Sequence, residues 1–293
     1  MSEPFADRLA ALVGERRSQV CLGLDPDPAA ADPEEGDGEG DVADRAAAAV
    51  AASCRSLIDR AGPSCVATKL QLACFERLGA PGWAALQSTV AAARQAGLLV
   101  IADGKRGDVP VSSAAYGQAL FGSTPTPWGD VPGLGVDAAT VNPLLGGDAL
   151  EPLIDAAASS GGGIFCLVRT SNPGAADLLD APSPDAPLYE RIAALVAERS
   201  DRLAGRSGLS GVGAVVGATE PGHLARLREL MPATIFLVPG VGAQGGRPSD
   251  LGPAFGEHPA SALVTASRSI AQAPDPGRAA QELREELWRL RGA

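Results

Sequence analysis

Histidine is nearly missing from this chain: two residues, His223 and His258, in 293. Both lie in turn-like contexts rich in Gly or Pro. The five cysteines, Cys21, Cys54, Cys65, Cys74 and Cys166, include no CxxC pair. A His/Cys zinc site and a Ser-His-Asp triad are therefore not expected. Their odd number and mostly apolar settings read as small buried hydrophobes in a reducing cytoplasm. The chain also lacks an uninterrupted apolar run of the ~18 residues a membrane helix needs. Its first residues, Met1-Ser2-Glu3-Pro4, are charged and carry no apolar h-region, so no classical secretory signal is expected. Cations are outnumbered, 24 Lys and Arg against 35 Asp and Glu, for a net charge of −11. That balance argues against nucleic acid as a partner, because phosphate backbones need a basic face. A small anionic substrate is still allowed, since a few convergent cations suffice for it.

What is present is a steady alternation. Short apolar runs at residues 20–24, 65–70, 98–102, 138–141, 164–168, 211–216, 235–238 and 262–265 read as strands buried on both faces. Amphipathic stretches at 42–60, 83–96, 111–121, 149–159, 188–204, 221–230 and 278–290 read as helices between them. Eight strands alternating with helices predict an α/β fold, a single (β/α)8 TIM barrel domain over 1–293, with a doubly wound open sheet as the weaker competitor. Two stretches break the rhythm. Residues 25–44 are acidic and rich in Pro, Gly and Ala, predicting a mobile loop after the first strand. Residues 122–135 are a Pro/Gly-rich insertion before the fourth.

Lysine is scarcer still in proportion. Of 24 basic residues only Lys69 and Lys105 are lysine. Where a cation merely solvates a surface, this sequence uses arginine. A retained lysine marks a place where a compact charge or a proton donor with a tunable pKa is needed. Both fall at or just past the C-terminal ends of predicted strands, where barrel active sites lie. In the run Asp103-Gly104-Lys105-Arg106-Gly107-Asp108, strand alternation would aim Asp103 and Lys105 together into the barrel mouth. Asp108 could return to the same cation. With Lys69 this predicts two ammonium groups alternating with two carboxylates, a density of charge that suggests pKa tuning rather than stability. An ordinary surface ion-pair loop is the plain alternative; the apolar run leading into the array argues against it.

These residues closely resemble the orotidine 5′-phosphate decarboxylase family. Residues 103–108 are similar to its D-x-K-R-G-D core. The resemblance continues with Leu24-Asp25, Thr68-Lys69, the segment 239–246 (PGVGAQGG) and Ser267-Arg268-Ser269, each after its own strand. Arg169-Thr170-Ser171-Asn172-Pro173 and the chain length resemble the longer bacterial branch. The resemblance implies a cofactor-free, cytoplasmic enzyme that decarboxylates orotidine 5′-phosphate to UMP in de novo pyrimidine biosynthesis. It implies that Lys105 protonates C6 of the pyrimidine and that Asp103 sits against the substrate carboxylate. Lys69 would bridge Asp103 and a ribose hydroxyl, and Asp25 would bind the ribose. Ser171 would read the pyrimidine edge, Gln244 would span base and phosphate from a mobile loop, and Arg268 would grip the phosphate. It implies a homodimer in which Asp108 crosses the interface into the partner's site. Where the family has Asp-Ile-Gly-x-Thr, this chain has Asp108-Val109-Pro110-Val111-Ser112. Ser112 keeps a hydroxyl for substrate, while Pro110 fixes φ and removes a donor.

Two other functions fit parts of this pattern. A Mg²⁺-dependent sugar-phosphate lyase or decarboxylase on the same barrel would share D-x-K-x-x-D, but Lys69 stands where such an enzyme needs a carboxylate for the metal. A non-catalytic pyrimidine-nucleotide-binding barrel would not need the complete charged array.

Overall fold

The computed structural model describes residues 2–32, 34, 40–182, 184, 186–242 and 245–290. Eight parallel strands close into a barrel: β1 (Val20–Leu24), β2 (Ala67–Gln71), β3 (Leu99–Arg106), β6 (Ala138–Val141), β7 (Gly163–Arg169), β8 (Ser210–Val216), β9 (Thr234–Val238) and β10 (Ala262–Ala266). Two further strands, β4 (Ser123–Thr126) and β5 (Gly129–Pro132), form an antiparallel hairpin in the insertion before β6. The helices around the barrel include α2 (Val42–Ala61), α4 (Gly79–Gln95), α5 (Pro110–Leu120), α6 (Gly147–Ser160), α8 (Leu188–Ala197), α9 (Pro221–Leu230) and α11 (Pro276–Leu290). Shorter ones, α3 (Leu72–Glu76), α7 (Ala175–Leu178) and α10 (Arg268–Ala271), lie in strand-end connections. All eight expected strands are found, with ends shifted by four residues at most.

The barrel follows from strand alternation. Outward-facing residues such as Val20, Leu22, Val100 and Val264 pack under the helices. Inward-facing ones, including Ala67, Leu99, Ile101, Ala138, Phe165, Ile235 and Leu263, fill the lumen. A helix that the sequence reading did not anticipate, α1 (Phe5–Arg16), seals the lumen at its N-terminal end. Its Phe5, Leu9 and Val13 are fully buried, worth about 2 kcal/mol each in area removed from water. Phe5 meets Phe165 edge-on at 5.9 Å. With one end plugged by apolar side chains, the described residues leave a cavity at the strand C-termini.

The segment after β1 is shorter as a loop than expected. Residues 28–30 form a 3-10 turn, and α2 begins at Val42 behind an Asp41–Asp44 capping box. The predicted loop over 25–44 therefore ends by Asp41; residues 33 and 35–39 lie outside the described set. Pro110 does not distort its surroundings. It is the first residue of α5, where no N–H is needed and its fixed φ suits the helix.

Arg228 ties the last connections of the barrel together. Its guanidinium lies 3.7 Å over the Phe236 ring and donates to the carbonyls of Met231, Pro232, Thr234, Ala254 and Ser261. Burial without a carboxylate partner pulls its pKa down to about 10. Arg228→Lys is expected to lower stability by about 3 kcal/mol, because one ammonium cannot serve carbonyls so dispersed and leaves several unpaired. Denaturant unfolding checks this, and a loss below ~1 kcal/mol would show that the clamp is dispensable.

Candidate active site

Strand alternation carries polar side chains into the open mouth of the lumen. On β2, Ala67 is followed inward by Lys69 and Gln71; on β3, Leu99 and Ile101 are followed by Asp103; on β6, Ala138 is followed by Thr140. These groups line a cavity of about 270 Å³ together with Asp25, Lys105, Ser171 and Arg268.

Asp103 is the hub. Its side chain is 7 % exposed and takes ion pairs from Lys69 Nζ at Oδ2 and from Lys105 Nζ at Oδ1, the latter at 2.7 Å. Thr140 Oγ1 donates to Oδ1 at 2.8 Å, and Gln71 Nε2 approaches Oδ2 at 3.4 Å. Burial alone would raise the carboxyl pKa; the two ammonium groups outweigh it and hold Asp103 down at about 2. Lys69 is equally buried. Desolvation would lower its pKa, yet Asp103 first and Asp25 second keep it above the usual lysine value. At neutral pH both groups are ionised, so the mouth holds a fixed field of alternating charge.

Lys105 reaches Asp103 by a route that strand alternation does not describe. The β3–β6 register shifts between Ala102 and Arg106, and Lys105 adopts a left-handed backbone conformation with φ 49°. For a non-glycine residue this costs about 1–2 kcal/mol. The Lys105 N–H donates to Thr140 Oγ1 at 2.9 Å, so one hydroxyl braces both the strained backbone and the carboxylate beside it. The bulge turns Arg106 away from the lumen, to Glu76 and the Tyr116 ring. The convergence of Asp103 and Lys105 matches expectation, while its cause is a bulge rather than a regular strand.

The fourth member of the array also differs. Within the chain Asp108 does not return to Lys105, and among the described residues it forms no ion pair. Its Oδ1 instead accepts the Val109 N–H at 2.7 Å. Asp25 completes the array, with Oδ1 3.9 Å from Lys69 Nζ. Neither Asp108 nor Ser112 lines the cavity. Gln244 lies outside the described residues. Residues 239–241 reach the cavity rim, with Gly240, Gly242 and Gly245 at φ values of 105°, 75° and 94° that a side chain would resist. The N–H groups of Gly242, Gly245 and Gly246 are already bonded to carbonyls inside this loop. The charged group facing the cavity from that side is Arg268, at the start of α10.

The family model described as "Orotidine 5′-phosphate decarboxylase / HUMPS family" matches residues 18–283. The chain belongs to this family. It is 40 % identical over 293 residues to an orotidine 5′-phosphate decarboxylase of Deinococcus radiodurans, covering 98 % of each chain. A relative of the same name from Rhodopirellula baltica is 40 % identical over 270 residues, 91 % of this chain and 87 % of that one. Among solved structures, the OMP decarboxylase of Leishmania donovani superposes with a TM-score of 0.75 at 34 % identity, over 97 % of this chain and 99 % of that one.

In this orotidine 5′-phosphate decarboxylase family member, Thr140 and Gln71 are site residues that the sequence reading missed. A threonine inside a four-residue apolar strand looks like a β-branched core residue. Only its inward register beside Asp103 distinguishes it. Four of the five cysteines are buried as expected and Cys74 is only half-buried; all five are free, and burial pushes the thiols of Cys21, Cys54 and Cys166 up to about 12. Among the described residues no helix is long and apolar enough to cross a membrane, and no group of three or more His, Cys, Asp or Glu converges as a metal site.

Proposed function

We propose that the chain, acting as one barrel unit in the cytoplasm, decarboxylates orotidine 5′-phosphate to UMP and CO₂ with its own side chains as the catalysts. The observation that carries this reading is the Asp25–Lys69–Asp103–Lys105 array at the open end of the lumen, with Lys69 and Asp103 buried and Asp25 and Lys105 open to the cavity mouth. The substrate's C6–carboxylate bond breaks, CO₂ leaves, and the electron pair remains at C6. The Lys105 ammonium, already oriented by Asp103, stabilises that pair and then transfers its proton to C6; solvent restores the proton. A carbanion with no electron sink needs barrier reduction on the order of 20 kcal/mol, and a preorganised ammonium in a dry site is the strongest available contributor. Asp103 faces the departing carboxylate and repels it in the ground state. Lys69 and Asp25 hold the ribose, Ser171 reads the pyrimidine edge, and Arg268 grips the phosphate. Gln244 joins base to phosphate as the 240–246 loop closes, converting phosphate binding energy into alignment.

The active species in this reading is a homodimer. Asp108 stands outside its own cavity, just before exposed Val109 and the exposed Val111 in the first turn of α5, near the segment after β6 with exposed Leu144 and Leu145. A second copy covering these apolar side chains would bring its own Asp108 to the neighbouring site, with Ser112 beside it. The net charge of −11 suits a small nucleotide held by a few cations and not a nucleic acid.

Lys69 also distinguishes this reading from a Mg²⁺-dependent reaction on a sugar phosphate. Its ammonium neutralises the two carboxylates that a divalent ion would use. Turnover of orotidylate is expected to survive exhaustive dialysis against EDTA without loss. Activity that returns only on adding Mg²⁺ or Zn²⁺ would overturn the cofactor-free assignment.

A further inference from the structure

In the connection that follows β7, Arg169 at the strand end is tied to Asp180, two residues past α7. Arg169 Nε donates to Asp180 Oδ1 at 2.7 Å and Nη2 to Oδ2 at 3.0 Å, a two-pronged pair. Arg169 Nη1 donates to the Thr170 carbonyl at 2.5 Å, so the same guanidinium also grips the residue before Ser171. The Arg169 guanidinium is buried and donates from inside the loop, while the Asp180 carboxylate it holds is partly exposed. Hydrogen bonding from Arg169 keeps the Asp180 carboxyl below the usual aspartate range. Further contacts fix the returning end. His223 of α9 sits with Nε2 4.0 Å from Asp180 Oδ1 and its ring edge-on to Tyr189 of α8. The Tyr189 N–H donates to the Leu179 carbonyl at 2.9 Å.

From the lumen side, Gly217 supports the same loop. A Cβ there would lie 2.7 Å from Ser171 Cα and 2.9 Å from Ser171 N, so residue 217 has room only for hydrogen. Ser171 is thus set between a glycine floor and an arginine clamp, with Thr170 Oγ1 and Asn172 Oδ1 joined at 2.7 Å on either side of it. Thr170, Ser171 and Asn172 all line the cavity, whereas Asp180 does not.

We infer that the Arg169–Asp180 pair is a latch that positions Ser171 and thereby sets how tightly the site recognises the pyrimidine base. Asp180 is a positioning residue: it touches no part of the cavity and acts through Arg169 on the loop. The inference rests on the reading that Ser171 contacts the base. Displacing a contact by about 1 Å costs up to about a hundredfold in alignment, and the ten residues between Arg169 and Asp180 have that freedom without their closing pair.

The test uses the full chain and the variants Asp180→Asn, Asp180→Glu, Ser171→Ala and Asp180→Asn/Ser171→Ala. Asp180→Asn is expected to lower kcat/KM for orotidylate about tenfold, mostly through KM, and Asp180→Glu to recover most of that loss. In the Ser171→Ala background the same Asp180→Asn change is expected to cost less than about twofold, because coupled residues are not additive. Inhibition by UMP should weaken with kcat/KM, while inhibition by ribose 5-phosphate, which has no base, should stay within about twofold. Equal losses in both backgrounds, or equal weakening of both inhibitors, overturn the latch and leave the role of Ser171 standing. A Ser171→Ala variant with unchanged kcat/KM overturns the base contact itself, and the latch with it. If Asp180→Asn does not fold, Arg169→Lys gives the same comparison, since it keeps the charge but loses the two-pronged geometry.

Discussion

Lys105→Arg is expected to lose about a thousandfold or more in kcat, nearly as much as Lys105→Ala, although the charge is retained. Guanidinium is too weak an acid to deliver the proton to C6, and it is bulkier than the ammonium that lies 2.7 Å from Asp103 Oδ1. The same position separates chemistry from backbone strain. At φ 49°, Lys105→Gly should be about 1 kcal/mol more stable than Lys105→Ala, because glycine alone adopts this conformation without penalty. Both variants should be inactive. Stopped or steady-state turnover and denaturant unfolding on the three variants give the two answers. A Lys105→Arg enzyme retaining a tenth of wild-type turnover would remove Lys105 from the role of proton donor.

The second large effect concerns Asp108. If each site combines Lys105 from one copy with Asp108 from its partner, Lys105→Ala and Asp108→Ala homodimers should each be almost inactive. Mixed and allowed to exchange, they should regain activity. In a mixed dimer one site collects both defects and the other collects none. Random pairing of equal amounts makes about half of the dimers mixed, so about a quarter of all sites are intact, as two-fold symmetry requires. Native mass spectrometry verifies exchange independently. Mixed dimers with no more activity than their parents would place Asp108 within its own chain. That outcome would need a rearrangement of the loop, since Asp108 is bonded to the Val109 N–H and lies outside the cavity.

Much of the fold was legible because a buried parallel strand and an amphipathic helix leave different periods in the sequence. The barrel plug α1 was not. Its helical stripe of Phe5, Leu9 and Val13 belongs to no βα unit, so the alternation gives no reason to look for it. The β4–β5 hairpin was hidden for the opposite reason: its Pro and Gly residues read as an insertion without strands, although Thr126 Oγ1 and the Gly129 carbonyl close it locally. At the site, scarcity made Lys69 and Lys105 conspicuous. The family resemblance implies a ribose contact for Asp25, but its place in the charged array depends on the register of β1 against β2, which pairs Gly23 with Lys69. Thr140 could not be found without knowing that the β3 bulge delivers the Lys105 N–H to it. Composition also says nothing about backbone donors satisfied within their own loop, as the N–H groups of Gly242, Gly245 and Gly246 are.

The most direct test of the central claim is the ultraviolet absorbance of orotidylate on mixing with purified, EDTA-treated protein, followed by identification of the product. The account predicts a fall in absorbance to completion over many turnovers, with one UMP and one CO₂ formed per orotidylate consumed and no fall with Lys105→Ala. Orotidylate bound but left unchanged by the wild-type protein, or consumed equally by Lys105→Ala, would contradict it.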